Sequence, residues 1–247
     1  LTAVRDWLAG SQAPSSRAAR RGGSRQGGRW TLRTEALEAR TMLDAGMRAL
    51  LPDLVASSDT GFSDRDNVTS DRTPALVGTV QGPASQVRMF IDGKPGDLVP
   101  VENGSWKYTV PAEAALDAGK HTFAVRPVDA SGRSGPSSAP LSVEIVTQAP
   151  TAPTLGIGSR SDTGMKGDGT TTFATPMLRG FAQPGVRVEV SIDGAVAGRV
   201  RSDARTGEWL FRAPQLATGT HDVTAVAANR AGVRSAATSF AVTANSE

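Results

Sequence analysis

The stretch of sequence that decides the fold is written twice, as Val-Arg-Met-Phe-Ile-Asp-Gly at residues 87–93 and as Val-Glu-Val-Ser-Ile-Asp-Gly at residues 188–194. Apolar residues alternate in each stretch up to an Asp-Gly pair, as in a half-buried strand that ends at a turn. Asp-Gly between two strands favours a type I′ turn, because both central residues of that turn need a positive φ. The two stretches are therefore predicted to be β-hairpins.

The rest of the chain repeats with nearly the same period. Ser58-Asp59-Thr60-Gly61 recurs at residues 161–164 with an offset of 103, and the hairpin stretch recurs with an offset of 101. A repeat of roughly 100 residues has the length of an ordinary domain, so two tandem domains are predicted. Further pairs follow in the same order: Thr73-Pro74 with Thr175-Pro176, Gly78 with Gly180, Gly104-Ser105-Trp106 with Gly207-Glu208-Trp209, and Gly119-Lys120-His121 with Gly219-Thr220-His221.

Composition indicates an all-β fold. The chain holds 27 Gly and 15 Pro but only 5% aromatic residues, and turn signals recur every eight to twelve residues or so, as in a β-sandwich. We predict two tandem immunoglobulin-like β-sandwiches of about seven strands each, at residues 52–147 and 154–247, joined by a proline-containing linker at 148–153. One tryptophan, Trp106 or Trp209, is expected in each core. His121 and His221 stand where such sandwiches have a tyrosine corner, and each is expected to bond the backbone.

The first 51 residues have a different character. They are predicted to be a disordered basic arm, with a short amphipathic helix over residues 32–50, where apolar residues recur at spacings of three and four. Residues 1–50 hold nine Lys or Arg against four Asp or Glu, so the basicity of the chain belongs to this arm. The arginines at its centre predict at most weak, salt-dependent contact with an anionic surface, without specific nucleic-acid binding: Arg17, Arg20, Arg21, Arg25 and Arg29.

The repeats resemble the bacterial Ig-like domains of large surface adhesins and biofilm-associated proteins of the Bap type. The resemblance rests on SDTGFSDRDNVTSDRTPALVGTV at 58–80 and SDTGMKGDGTTTFATPMLRGFA at 161–182, each followed by Ile-Asp-Gly, a Gly-x-Trp turn and a Gly-x-His strand. It implies a non-catalytic structural or adhesive module that lies outside the bacterial cell or on its surface. Neighbouring Ig-like repeats, and a surface protein or glycan, are the partners that it implies.

A second resemblance lies at residues 37–45, LEARTMLDA. It is similar to the Leu-Glu-Pro-Arg-x-Leu-Leu (LEPR-XLL) segment near the N-termini of very large exported bacterial proteins, with Ala39 in place of the proline and Met42 in place of one leucine. The resemblance implies export. The alternative interpretation is an amphipathic helix without any targeting role.

Acidic residues cluster at the start of each repeat and suggest calcium. Hard cations take several oxygen ligands from a flexible loop, and the resemblance to adhesin repeats implies calcium near domain junctions. In the second copy Lys166 or Gly167 replaces one acid, so that site is expected to be weaker. The alternative role for these carboxylates is to cap turns. The predicted ligands are Asp59, Asp64, Asp66 and Asp129 in the first copy, and Asp162 and Asp168 in the second. Asp129 is expected to approach the other three, because the first strand of such a sandwich begins at the pole where the loop after strand F lies.

The sequence offers little for catalysis. The chain has no cysteine, its two histidines occupy equivalent places in separate repeats, and no nucleophile-elbow or zinc-protease motif is present, so no enzyme activity is predicted. No run of residues reaches the roughly 18 apolar positions of a membrane-spanning helix. An alternative function is that of a carbohydrate- or protein-binding appendage of a larger secreted enzyme.

Overall fold

The computed structural model describes residues 46–245, and every structural statement below refers to them. The first domain contains nine strands and one short 3₁₀ helix at Ala112–Ala114. The strands are β1 (Arg48–Ala49), β2 (Asp53–Leu54), β3 (Val68–Thr69), β4 (Ala75–Gln81), β5 (Ala84–Ile91), β6 (Lys94–Pro100), β7 (Ser105–Thr109), β8 (Gly119–Asp129) and β9 (Leu141–Ile145).

Two sheets form the first sandwich. One sheet places β4 between β7 on one side and the successive short strands β1 and β2 on the other. The second sheet has the order β3-β9-β8-β5-β6. The N-terminal strands are therefore divided between the two sheets. After β2 the chain crosses to the second sheet, where β3 runs parallel to β9.

The second domain repeats this plan with two sheets of order β10-β12-β15 and β11-β17-β16-β13-β14. Its short strand β11 again runs parallel to the last strand, as β3 does in the first domain. Its strands are β10 (Gly156–Ile157), β11 (Thr170–Thr171), β12 (Met177–Phe181), β13 (Arg187–Ile192), β14 (Ala195–Arg201), β15 (Glu208–Arg212), β16 (Gly219–Ala228) and β17 (Arg234–Ala244).

Each domain has its own core, and a tryptophan lies in each. Trp106 is 3% exposed and Trp209 is 1% exposed, and the buried residues around them form two separate clusters. Each indole lies against a glycine of the neighbouring strand, Gly78 or Gly180, which leaves room for the ring. The prediction of two tandem immunoglobulin-like sandwiches with one core tryptophan each is confirmed.

The hairpin turns are also as predicted. Asp92 and Gly93 have φ values of 51° and 74°, and Asp193 and Gly194 have 51° and 78°. Positive φ at both central residues is the signature of the type I′ turn, so Asp-Gly sets the connection of β5 to β6 and of β13 to β14.

The helix predicted over residues 32–50 is wrong where the structure describes it. Arg48–Ala49 is a strand that pairs with the end of β4, and Met47 and Ala49 are buried against the first sandwich. The apolar spacing at 47 and 49 serves a strand, since alternate residues of a strand face the same side. The basic arm, residues 1–45 of the predicted N-terminal region and the LEPR-XLL-like segment lie outside the described residues.

Candidate functional site

The loop between β2 and β3 lies at the end of the first sandwich where β9 leads into the linker. We call residues 55–67 the acidic loop. It begins with a tight turn, in which the N–H groups of Ser58 and Asp59 donate to the Val55 carbonyl at 2.7 and 3.0 Å. The Ser58 hydroxyl donates to Asp71 and accepts from the Ala75 N–H, so it anchors the loop to the start of β4.

Asp59 is the unusual carboxylate of this loop. It is 6% exposed, and its Oδ1 is buried without a hydrogen-bond partner, as is Oδ1 of Asn67 in the same loop. Burial raises the pKa of Asp59; the Asn67 N–H lowers it, but Asp66 and other nearby carboxylates add to the rise, and the net pKa lies above its ordinary value. Two buried oxygens without donors, in a loop with further carboxylates, have the chemistry of a hard-cation site.

The other predicted ligands of the first copy are more exposed. Asp64 lies 3.8 Å from Arg65 in a solvent-exposed ion pair, and Oδ1 of Asp66 accepts a hydrogen bond from the Val68 N–H at 3.2 Å. Across residues 46–245, no three Asp, Glu or His side chains converge closely enough to hold a metal ion by themselves. A cation at the acidic loop would therefore also take backbone oxygens, which calcium accepts readily.

Asp129 lies at the other end of the domain. Thr69 is aligned with Ile145, and Ile145 with Gly119 at the start of β8, whereas Asp129 is the last residue of that strand. Ten steps along a strand correspond to roughly 33 Å. The expectation that Asp129 approaches the acidic loop is therefore wrong, because the two features are on opposite poles of the sandwich.

Asp129 instead organises the turn after β8. Its Oδ1 accepts from the N–H and hydroxyl of Ser131 and from the Arg133 N–H, and its Oδ2 accepts from Arg133 Nε at 2.7 Å. The bond from the Ser131 hydroxyl, opposed by burial and supported by the bonds from Arg133, holds the pKa of Asp129 well below its ordinary value. This carboxylate has the turn-capping role that was the alternative to metal binding.

In the second copy a lysine occupies the corresponding loop, residues 158–169. Lys166 Nζ donates to the backbone carbonyls of Ser159 and Asp162. Asp162 is buried, with Oδ2 accepting from the Gly167 N–H at 2.7 Å and Oδ1 without a partner, while Asp168 accepts from the Thr170 N–H. A positive charge is thus already built into the loop of the second domain.

The acidic loop of the first domain also contacts the second domain. The Thr60 hydroxyl donates to the Ala231 carbonyl at 3.0 Å, and the Asn229 side-chain amide donates to the carbonyl of Gln148 in the linker at 2.9 Å. Asn229 and Ala231 belong to the turn between β16 and β17. Polar groups of this turn therefore bond both to the first domain and to the linker.

Two charged contacts cross the same junction. Arg230 forms an ion pair with Glu144 of β9 at 2.5 Å, and the guanidinium of Arg187 lies 3.8 Å from the centre of the Phe62 ring. The distance between Arg187 and Phe62 fits a cation–π contact. In both contacts the second domain supplies the arginine. The first domain supplies the carboxylate of Glu144 or the ring of Phe62.

Gly61 makes the close approach of the two domains possible. A Cβ at this position would lie 2.1 Å from the Arg230 carbonyl oxygen, and Gly61 also has a φ of 113°. Any side chain would push the domains apart or strain the backbone. The sequence showed Gly61 as a repeated glycine, but its contact with another domain could not be recognised from the repeat.

Each histidine joins two parts of its own domain. His121 Nε2 lies 3.0 Å from the Asp117 carbonyl, and His221 Nε2 lies 2.9 Å from the Ala217 carbonyl, which confirms the predicted bond to the backbone. Sequence analysis missed the second bond, from Nδ1 to the hairpin aspartate Asp92 or Asp193. The signal was present, since an Asp-Gly aspartate precedes the histidine by 29 and 28 residues in the two copies.

No helix among residues 46–245 has the length and apolar character needed to cross a membrane. No curated protein is similar to this chain in sequence.

Several solved structures are similar to this chain at low sequence identity. The fibronectin(III)-like modules of Clostridium thermocellum CbhA are 16% identical, with 79% of this chain and 94% of that chain covered and a TM-score of 0.44. A 1.5-MDa bacterial ice-binding adhesin is 18% identical, with 81% of this chain covered and a TM-score of 0.40, and this chain spans 64% of it. A tetra-tandem repeat from a large adhesion protein is 20% identical, with 80% and 50% covered and a TM-score of 0.33.

The sequence matches the family described as bacterial Ig-like domain twice, over residues 47–147 and 148–245. The first match begins one residue before β1, so it includes that strand. Together the two matches span almost all the described residues, so the chain belongs to the bacterial Ig-like domain family and carries two tandem copies of it.

Proposed function

We propose that the two domains form a non-catalytic spacer of a secreted or cell-surface bacterial protein, which holds an adhesive region or a further repeat at a fixed distance and orientation. The family of the two domains supports the proposal. The observation that carries it is the junction, where side chains of both domains meet across a linker with two prolines, Pro150 and Pro153. Prolines restrict the linker, and the contacts fix the angle between the domains.

The linker is hydrogen-bonded to the second domain near both of its ends. Gln148 near the start of the linker accepts a bond from Asn229, and the Pro153 carbonyl at its end accepts a bond from Thr238 at 2.6 Å. The linker itself is therefore held by the second domain, while Thr60 and Glu144 hold that domain against the first. A module built in this way transmits orientation from one domain to the next, as a spacer requires.

The experiment measures the distance between the domains by pulsed electron spin resonance. The chain has no cysteine, so nitroxide labels at Ser142→Cys and Ser239→Cys, both exposed positions, report only that distance. We expect a single narrow distribution. Thr60→Val combined with Arg230→Ala should broaden it, because both changes remove contacts across the junction.

Arg234→Ala is the matched control, since Arg234 forms an ion pair of similar exposure with Glu189 inside the second domain. It should leave the distribution narrow. A broad distribution in the labelled parent chain would show that the domains move independently and would refute the spacer proposal. Labelling of intact cells with an antibody against residues 46–245 tests the surface location, and it should succeed without permeabilisation.

Calcium binding at the acidic loop of the first domain is part of this proposal. The buried Oδ1 atoms of Asp59 and Asn67 support it, and Asp64 and Asp66 would add charge from the surface of the same loop. Calcium would supply the positive charge that the buried carboxylate lacks. The loop lies beside the domain junction, so an ion there would stiffen both the loop and the Thr60 contact. In the second domain, Lys166 occupies the loop that contains Asp162 and Asp168, and we propose only weak binding there.

The alternative is a carbohydrate- or protein-binding appendage of a larger secreted enzyme. One observation favours it: Phe181 and Leu210, on neighbouring strands of the second domain, are 46% and 51% exposed, whereas the first domain has Thr79 and Lys107 at these places. An exposed apolar face in only one copy suits a ligand. Binding on a glycan array that is lost in Phe181→Ser would support this function over a pure spacer.

A further inference from the structure

The pole of the second domain that lies farthest from the first domain repeats a backbone turn of the loop that contacts the second domain at the junction. Ser161 and Asp162 donate to the Gly158 carbonyl at 2.8 and 3.0 Å, which repeats the turn closed by Ser58 and Asp59 on Val55. The next three residues, Thr163, Gly164 and Met165, correspond to Thr60, Gly61 and Phe62. We call residues 163–165 the far surface.

The far surface is accessible. Met165 is 78% exposed, and a Cβ at Gly164 would meet no atom within 4 Å. At the junction, the corresponding Phe62 is 39% exposed and the corresponding Gly61 touches Arg230. The far surface thus presents a hydroxyl, a glycine and a large apolar side chain in the same order along the chain as the residues that bind a turn at the junction.

The first domain carries a turn of the kind that the junction binds. At the junction, the bound turn is residues 229–232, where the Asn229 N–H donates to Val233 and the Gly232 N–H donates to Asn229. Residues 129–132 close in the same way, from Asp129 to Arg133 and from Gly132 to Asp129. The two terminal glycines have φ values of 82° and 83°. We call residues 129–132 the near turn.

The ion pair of the junction has no counterpart on the near turn and the far surface. At the junction, Arg230 pairs with Glu144. The strand registers place Ala130 at the position of Arg230 and Thr243 at the position of Glu144, so neither of these two positions is charged. The charge of Asp129 in the near turn is already paired with Arg133. Within residues 46–245, the turn that carries Arg230 thus meets the surface that carries Glu144, whereas Ala130 and Thr243 would bring no charge to the contact proposed below.

The cation–π contact beside the turn also has no counterpart on the near turn and the far surface. Arg187 covers the Phe62 ring at the junction. The registers place Gln86, in the first domain, at the position of Arg187. On the far surface, Met165 takes the place of Phe62. The proposed contact therefore has an amide in place of the cation and a thioether in place of the aromatic ring. A cation would gain little over a thioether, because Met165 has no aromatic face.

We infer that the far surface of one chain binds the near turn of a second copy of this chain, in a head-to-tail contact. The two surfaces are different, so the contact does not close on itself and can extend to a row of molecules. The Thr163 hydroxyl would donate to the Ser131 carbonyl, as Thr60 donates to Ala231 at the junction. On a crowded surface such contacts would join neighbouring molecules through multivalency.

The test is sedimentation equilibrium of the full chain up to 1 mM. A contact of this size is expected to be weak, with a Kd on the order of 0.1 to 1 mM. Met165→Asp should remove the far surface and Ala130→Trp should obstruct the near turn, so each variant alone should be monomeric. An equimolar mixture should form dimers and nothing larger, because each variant keeps one complementary surface.

Val196→Asp is the control, since Val196 is 55% exposed on β14, which lies at the opposite edge of its sheet from β11, the strand that follows the far surface. It should leave association unchanged, and circular dichroism should show that all variants are folded. A parent chain that stays monomeric at 1 mM, or a mixture that forms no dimer, would overturn the inference. The spacer proposal would survive that result, because it depends on the distance between the two domains of one chain.

A pair of substitutions that should strengthen the association between two chains provides a second test. Thr243→Glu in one chain and Ala130→Arg in the other would rebuild, between two molecules, the ion pair that Glu144 and Arg230 form at the junction. The mixture should associate roughly two- to fivefold more tightly than the parent at low salt. Equal affinity at low salt would contradict the proposed alignment of these two positions.

Discussion

His121 Nδ1 lies 2.8 Å from Asp92 Oδ2, and the same imidazole reaches the Asp117 carbonyl with its other nitrogen. Both partners are acceptors, so the doubly protonated imidazolium is the form that satisfies the pair. Burial lowers the pKa of His121, but the two hydrogen bonds and the charge of Asp92 outweigh it, and the net pKa is raised. Asp92 has a lowered pKa, because bonds from His121 and Thr122 outweigh its burial.

The pair of His121 and Asp92 makes the stability of the first domain depend on pH, with one loss of stability at high pH and another at low pH. The contribution of His121 is complete below its ordinary pKa of 6.5 and is lost as the pH rises through the raised value. The contribution of Asp92 is complete above its ordinary pKa of 3.8 and is lost as the pH falls through the lowered value. We expect the pair to stabilise the first domain most at mildly acidic pH.

His121→Ala should therefore lower the free energy of unfolding by about 1 to 2 kcal/mol at pH 5.5, and by less at pH 9. Urea unfolding followed by circular dichroism at the two pH values measures the difference. His221→Ala is the parallel test in the second domain, where Asp193 takes the place of Asp92 at 2.7 Å. An effect of the same size at both pH values would exclude the charged pair as its source.

Gly180 tests how tightly the tryptophan is packed. A Cβ on Gly180 would lie 1.8 Å from the Thr154 carbonyl oxygen and 2.6 Å from Trp209 Cζ2. Gly180→Ala should destabilise the second domain by about 1 to 3 kcal/mol or more, because neither the backbone nor the buried ring can move freely. Calorimetric melting of the chain measures the loss.

Gly156→Ala is the control for Gly180. It lies on the adjacent strand β10, and a Cβ there would meet no atom within 4 Å. Its melting temperature should stay close to that of the parent. If both alanine variants melted alike, crowding at Trp209 would not be the reason for the repeated glycine.

The features that could be predicted from the sequence are those that local chemistry determines. Asp-Gly imposes its turn through φ, so Asp92 and Asp193 were correctly placed in hairpins. Trp106 and Trp209 follow turn glycines in alternating strands, and their burial follows from that pattern. The repeat strengthened each prediction, because the same local signal occurred twice.

The features that could not be predicted depend on contacts between distant segments. Residues 46–50 show apolar spacing compatible with a helix, and only pairing with β4 makes Arg48–Ala49 a strand. The expected approach of Asp129 to Asp59 requires the first strand and the loop after strand F to share a pole, whereas the strand register puts Asp129 at the opposite end. Nothing in the local sequence around Phe62 indicates that Arg187 lies on its ring.

Asp59 gives the sharpest test of calcium. Its raised pKa means that ionised Asp59 costs stability as the pH rises through that pKa, unless a cation compensates for the charge. With a Kd of 10⁻⁴ to 10⁻³ M, as in extracellular modules, 10 mM calcium should stabilise the first domain by about 1.4 to 2.7 kcal/mol. Calorimetry with calcium and with a chelator measures this shift.

Asp59→Asn is the variant for that experiment. It should melt at or above the parent temperature in chelator, because it removes a buried charge, and it should not respond to calcium. Asp129→Asn is the control, since Asp129 lies at the opposite pole and should leave the calcium response intact. A parent chain whose melting does not change with calcium would remove the metal from the proposed function and leave the spacer standing.

Lys166 gives the complementary prediction for the second domain. Its ammonium group donates to the carbonyls of Ser159 and Asp162, so it supplies positive charge to a loop in which Asp162 Oδ1 has no other partner. Lys166→Ser should destabilise the second domain by about 1 to 2 kcal/mol in chelator, because two carbonyls lose a charged donor. It should also make the domain sensitive to calcium, since Asp162 and Asp168 would then have no lysine beside them. Lys166→Arg keeps the charge and should behave like the parent in calcium. A Lys166→Ser variant that is destabilised equally with and without calcium would show that the lysine only supports the loop and does not take the place of a cation.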